Sequence, residues 1–300
     1  MISLNGILAP LVTPFNESGE LYLEGFGRNI RAHLAAGCVG VVVTGSTGEA
    51  ALLDDTERNA LTERARSEVG SDHTLIVGTG SESTRLTIAR SRAAAERGTD
   101  AVLVVAPHYY ADAMSPEALR EHYVRVADES PVPVVLYSIP KYMHFSLSPE
   151  LVADLAQHQN IVGIKDSSGD AALFARFLES QSETFRVLTG SGVLFGEAMI
   201  MGAHGGILAV SLFAPARTFD VWQAHQRGDH PAALAAQALL TPLAQRIVGQ
   251  MGVPGVKAAL DRVGLVGGAP RSPLRPRGAP AKALLEELLR AAEPEPAPVP

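Results

Sequence analysis

Eight short apolar runs recur along this 300-residue chain, separated by stretches of helical periodicity, and this alternation limits the fold more than any other feature. The runs cover residues 6–13, 39–44, 74–78, 101–106, 133–137, 161–165, 186–189 and 206–210. Several, such as Val39-Gly40-Val41-Val42-Val43 and Ala101-Val102-Leu103-Val104-Val105, are apolar without alternation. A strand of that kind is buried on both faces, as strands are in a parallel sheet covered by helices. Eight βα repeats within about 210 residues match the size of a closed barrel. A doubly wound sheet would have fewer strands and a switch point. The expected fold is therefore α/β, a (β/α)8 TIM barrel.

Helices are expected at 22–36, 56–69, 83–97, 116–129 and 149–157, with Ser, Thr or Asp near their starts. After the eighth strand only helical stretches follow, at 214–226, 231–248, 256–263 and 281–292, with an irregular connection over 264–280. This divides the chain into a barrel over 1–226, a C-terminal helical extension over 227–292 and a tail over 293–300. The tail alternates Pro with small or acidic residues and is expected to be disordered.

The net charge of −7 and the dispersed basic residues argue against a nucleic-acid partner. The single cysteine, Cys38, permits no intrachain disulfide and reads as a buried structural thiol in a reducing compartment. The first fifteen residues lack the Lys or Arg of a signal peptide, and no apolar run approaches the ~18 residues of a membrane span. A soluble, cytoplasmic protein is expected. Nine histidines are scattered with no His-Glu-x-x-His array, so no metal site is expected.

In a barrel, reactive groups sit where strands end at the C-terminal face. Lys165 ends the sixth run, in a chain with four lysines against 21 arginines. A lysine inside a barrel is desolvated, which favours the free amine that attacks carbonyls. The alternative is a structural ion pair with Asp166. Tyr137 ends the fifth run, beside Lys165, and reads either as a proton shuttle or as a rim tyrosine that packs its ring. Tyr109 and Tyr110 carry the same two readings. The turn Thr44-Gly45-Ser46-Thr47-Gly48-Glu49 offers hydroxyls and exposed amides to a carboxylate or phosphate, or is an ordinary βα turn.

Taken together, the ordered motifs Gly-Ser-Thr-Gly-Glu at 45–49, Pro107-His108-Tyr109-Tyr110, Tyr137-Ser138-Ile139-Pro140, Gly163-Ile164-Lys165-Asp166-Ser167-Ser168 and Thr189-Gly190-Ser191-Gly192 resemble the dihydrodipicolinate synthase and N-acetylneuraminate lyase family. The resemblance runs from Gly6 to about Leu289. It implies a Schiff base between Lys165 and a 2-oxo acid such as pyruvate, with no other cofactor. It also implies a proton relay through Tyr137, with help from Ser46 or Thr47 and from Tyr109. Substrate binding falls to Ser46, Thr47, Gly48, Gly190 and Ile207, and the usual assembly is a homo-oligomer, a dimer or tetramer. One position departs. Where the synthases carry an Arg that binds the carboxylate of the aldehyde, this chain has Tyr142, which lacks a charged, bidentate contact. Lys141 compensates only if it points inward. The reaction expected from these residues is an aldolase or lyase step on a hydroxylated or sugar-derived 2-keto-3-deoxy acid. The synthase reaction on aspartate semialdehyde is the second choice, beside a related dehydratase. A barrel that binds a small acid without turning it over is the alternative of a different class.

Overall fold

All eight expected strands form in the computed structural model, which describes residues 2–292; the tail at 293–300 lies outside the described residues. They are β1 (Gly6–Pro10), β2 (Gly40–Val43), β3 (Thr74–Gly78), β4 (Ala101–Val105), β5 (Val134–Ser138), β6 (Ile161–Asp166), β7 (Arg186–Thr189) and β8 (Gly205–Ile207). Each pairs in parallel with its sequence neighbour, and β8 pairs back to β1, closing the barrel. Interleaved with them are α1 (Leu23–Ala35), α2 (Asp55–Glu68), α3 (Thr84–Glu96), α4 (Pro116–Glu129), α5 (Pro140–Met143), α6 (Pro149–Leu155), α7 (Ala171–Leu178) and α8 (Phe195–Ile200). Local sequence sets several starts. The Asp54 and Glu57 side chains form a reciprocal capping box on α2, and Ser115 and Ser148 cap α4 and α6, each ahead of a Pro.

Two strands stop three residues before the ends of their apolar runs. β1 ends at Pro10, three residues before the expected limit. β8 ends at Ile207, and the apolar residues beyond it turn into a 3-10 helix over Ala209–Leu212. The cause is Ser211, whose amide and hydroxyl both donate to the Leu208 carbonyl, at 3.1 and 2.7 Å, folding the chain back. Apolar periodicity registers burial and does not see that local bond.

Beyond the barrel lie α9 (Pro215–Gln226), α10 (His230–Leu243), a π-helix over Ala244–Met251, α11 (Gly252–Arg262) and α12 (Ala279–Ala291). The sequence suggests one helix over 231–248. Instead the backbone widens after Pro242, which supplies no amide to the carbonyl one turn back. Leu240, Leu243, Ile247, Val256 and Leu260 join the same hydrophobic cluster as the barrel's Leu8, Val41 and Phe195, so the extension shares the barrel's core. Cys38 is buried, and burial pushes its thiol up to about 12. Among the described residues no helix is long and apolar enough to cross a membrane.

Candidate active site

The C-terminal ends of the strands open into a cavity of about 410 Å³. Register decides which side chains reach it. Tyr137 on β5 lies opposite Lys165 on β6, so both point into the barrel. The Lys165 ammonium sits 4.2 Å from the centre of the Tyr137 ring, and both residues line the cavity. Asp166, one residue on, points to the other face. Its carboxylate accepts from the Ser168 amide at 3.2 Å and the Ser168 hydroxyl at 2.6 Å. Burial pushes its pKa up to about 6 despite those two bonds. The ion-pair reading of Lys165 is thereby removed: among the described residues Lys165 has no hydrogen-bond or salt-bridge partner, and its amine faces open space.

Gly190, just past β7, makes room for that amine. A Cβ there would stand 2.0 Å from Ser167 Oγ and 2.7 Å from Lys165 Cε. Its amide donates to the Asp166 carbonyl at 2.6 Å, which holds the backbone against β6. Across the cavity, Ser46 and Thr47 form a 3-10 turn after β2, bracketed by two non-glycine residues in the left-handed region, Thr44 at φ 50° and Glu49 at φ 59°. Such backbone is uncommon, and most so for β-branched Thr44. Ile207 at the end of β8 and Tyr142 on α5 complete the set that the structure brings together.

Two expected residues are not brought in. Gly48 is buried beneath the turn, where its carbonyl accepts from the Thr13 hydroxyl at 2.7 Å; it supports the cavity without lining it. Tyr109 is 77% exposed and meets Tyr110 edge to face outside the cavity. Glu82 fixes that segment by accepting from the amides of His108 and Tyr109, each at 2.8 Å. In a single chain Tyr109 does not reach Lys165, because its loop is tied outward to Glu82.

The sequence reading missed two groups, the serines after β6 and β7 and the wall beside the π-helix, while Lys141, expected to matter only if it pointed inward, does line the cavity. Ser167 and Ser191 follow β6 and β7 inside motifs already quoted, and their position after strand ends was the available signal. Lys141 lines the cavity and donates to the Gly249 carbonyl at 2.9 Å. The π-helix contributes a wall that includes Ala244, Gln245 and Val248, with Val253 and Val256 beyond it. The available signal for that wall was Pro242, which interrupts the helix expected over 231–248. Among the described residues lining the cavity there are two lysines, no arginine and no carboxylate.

The dihydrodipicolinate synthetase family model matches residues 3–292. The chain belongs to this family. A 4-hydroxy-tetrahydrodipicolinate synthase of Xanthomonas axonopodis pv. citri is 37% identical over 278 residues, 93% of this chain and 91% of the relative. The dihydrodipicolinate synthase DapA-2 of Bacillus anthracis superposes with a TM-score of 0.92 at 31% identity, covering 97% of this chain and 99% of that one. A chloride-inhibited dihydrodipicolinate synthase from Acinetobacter baumannii, complexed with pyruvate, gives 0.92 at 28% identity over 97% and 99% of the two chains. As a dihydrodipicolinate synthetase family member, the chain is a class I lyase. The family's chemistry runs through a lysine Schiff base with pyruvate and takes no metal or other cofactor.

Proposed function

We propose that this protein joins pyruvate, held as an imine on Lys165, to a short aldehyde that carries its own carboxylate. The Lys165 amine attacks the ketone carbon of pyruvate to give a carbinolamine, which loses water to form the imine. Loss of a proton from the methyl carbon gives an enamine, whose carbon attacks the aldehyde; water then hydrolyses the imine and frees the lysine. In this reading Tyr137 carries these protons, supported by its place beside Lys165 and by the Thr47 and Ser46 hydroxyls that line the same cavity. The Ser46–Thr47 turn and Ser167 are the polar groups available to the pyruvate carboxylate.

The observation that carries the choice of aldehyde is the charge of the cavity: Lys141 stands at its mouth, and among the described residues no carboxylate lines it. On the π-helix side the lining mixes Val248, Val253 and Val256 with Gln245 and Gln250, a surface that carries no charge beyond that of Lys141. Of the reactions weighed from the sequence, the names of the curated relatives also favour 4-hydroxy-tetrahydrodipicolinate synthase over cleavage or dehydration of a 2-keto-3-deoxy sugar acid. Tyr142 in place of the expected Arg favours a second reading within the same class, a different short aldehyde acid bound through the single charge of Lys141. Tyr109 enters the relay only where a second copy of the chain supplies it, in the homo-oligomer usual for the resemblance.

Borohydride reduction with pyruvate, followed by peptide mass spectrometry, tests the imine. One adduct on Lys165 is expected, and none in Lys165→Ala. Aspartate semialdehyde, glyoxylate and glyceraldehyde then separate the substrate readings. The two acids should exceed glyceraldehyde in kcat/KM by about tenfold, the scale of one charge-assisted hydrogen bond at a partly exposed site. Preference for glyceraldehyde would return the sugar-acid reading to first place.

A further inference from the structure

We infer that Lys257 is a positioning residue: from the C-terminal extension it holds Glu49, and through Glu49 it fixes the Ser46–Thr47 turn in the cavity. The inference rests on the reading of that turn as part of the active site.

Lys257 lies in α11 among apolar neighbours, and its side chain is 1% exposed; that of Glu49 is 0% exposed. The ammonium meets Glu49 Oε1 at 2.5 Å. Its other two donors go to the Thr13 and Ala269 carbonyls, at 2.8 and 2.9 Å, so all three are satisfied. The second carboxylate oxygen, Glu49 Oε2, accepts from the Arg271 amide at 2.8 Å. The Phe15 ring lies against both cations, with its centre 4.6 Å from Lys257 Nζ and 4.1 Å from the Arg271 guanidinium carbon. Two residues of the C-terminal extension, 208 and 222 positions away in sequence, therefore converge on one carboxylate.

That carboxylate belongs to a residue at φ 59°, immediately after the Ser46–Gly48 turn. Backbone of this kind persists where its surroundings over-determine it. Here the surroundings are specific: Lys257 and the Arg271 amide grip Glu49, while Thr13, also bonded to Lys257, donates its hydroxyl to the Gly48 carbonyl at 2.7 Å. The turn is held at two successive residues by one network. A buried ion pair generally adds little net stability over an apolar pair of the same volume. What an ion pair supplies that an apolar pair does not is direction, and here the direction is into the backbone beneath Ser46 and Thr47.

The test uses the full chain with Lys257→Met combined with Glu49→Gln, which removes both charges and leaves neither buried alone. Two readouts are taken: amide hydrogen exchange over residues 44–53, and the pyruvate dependence of the borohydride-trapped adduct on Lys165. We expect exchange over 44–53 to quicken at least tenfold while β6 is unchanged. The half-saturating pyruvate concentration should rise by a similar factor, with the adduct still reaching its plateau on Lys165. A folded double variant with unchanged exchange, or with an unchanged pyruvate dependence, overturns the inference and leaves a purely structural pair. If the double variant does not fold, Glu49→Gln alone, which keeps an acceptor for the Arg271 amide, is read in the same way. Absence of any adduct in the parent protein overturns instead the active-site reading and the catalytic use of the Lys257–Glu49 pair; the exchange data still report whether the pair holds the turn.

Discussion

The cavity has two unlike walls. One is made by strand ends: Tyr137 and Lys165 sit opposite each other in a parallel ladder, and Gly190 lies against them past the next strand. The other is made by the short helix α5, which carries Tyr142 and Lys141, and by the π-helix Ala244–Met251 facing it. The first wall is fixed by backbone hydrogen bonds repeated around the barrel. The second is held by isolated contacts, such as that from Lys141 to the Gly249 carbonyl. The division suits the chemistry. Forming an imine and moving its protons needs fixed geometry for every substrate, whereas the shape that receives the aldehyde changes with the loops while the barrel stays the same.

Disturbing the first wall should stop the chemistry whatever the aldehyde. In Gly190→Ala the added methyl falls 2.7 Å from Lys165 Cε and 2.0 Å from Ser167 Oγ, so both side chains must move. They are flexible and can do so at a cost of about 1 kcal/mol. The amine, however, leaves its place beside Tyr137, and a misplacement of about 1 Å is enough to slow a positioned reaction ~100-fold. We expect melting to change little and the rate of pyruvate trapping to fall about 100-fold. A normal trapping rate in the variant would show that the lysine tolerates displacement, and the contrast between a rigid and an adaptable wall would lose its basis.

The two walls also differ in how far the sequence disclosed them. Lys165 and Tyr137 were visible because a polar residue at the end of an apolar run stands out and because strand alternation has a period of two. The barrel itself followed from the same runs, and its errors lie at strand ends: the Ser211 bond that ends β8 early is local and is not periodic. The Lys141 contact and the Glu49–Lys257 pair join residues far apart in sequence, by 108 positions for Lys141 and Gly249 and 208 for Lys257 and Glu49, and the valine wall likewise comes from distant segments. No pattern along one chain encodes such pairing. A lysine set within Gly-Val-Pro-Gly-Val and Ala-Ala-Leu was nevertheless a signal, since a charged residue in an apolar helix is seldom buried without a partner.

The second wall is probed by Lys141→Met, which keeps most of the side-chain length and removes the charge. Pyruvate trapping on Lys165 should be unaffected. The kcat/KM for an aldehyde acid should fall about tenfold, the scale of one charge-assisted hydrogen bond at a partly exposed site, and glyceraldehyde should lose no more than twofold. The tenfold difference should shrink at high salt, because the contact lies at the solvent-facing mouth. An equal loss for charged and neutral aldehydes would assign Lys141 to holding the π-helix and leave the aldehyde's carboxylate to another group.

The smallest expected effect on activity, and the sharpest internal control, comes from the neighbour of the reacting lysine. Asp166 shares a strand with Lys165 but faces away from the cavity, and burial raises its pKa from the ordinary 3.8 to about 6. The folded state therefore binds this proton more tightly than the unfolded state does. Stability from this group is fully present below about pH 4 and is lost as pH rises through 6, with a cost at pH 7 of up to about 3 kcal/mol. Asp166→Asn removes the charge while keeping an acceptor for Ser168. Its unfolding free energy should exceed that of the parent by ~1–3 kcal/mol at pH 7 to 8, and the two should converge below pH 4. Pyruvate trapping should stay within about twofold, since the side chain touches neither Lys165 nor the cavity. A gain that did not depend on pH would mean that the buried charge is not its source; a large loss of trapping would mean that the outer face of β6 sets the inner one, and that the strand-end wall is less rigid than its hydrogen bonds imply.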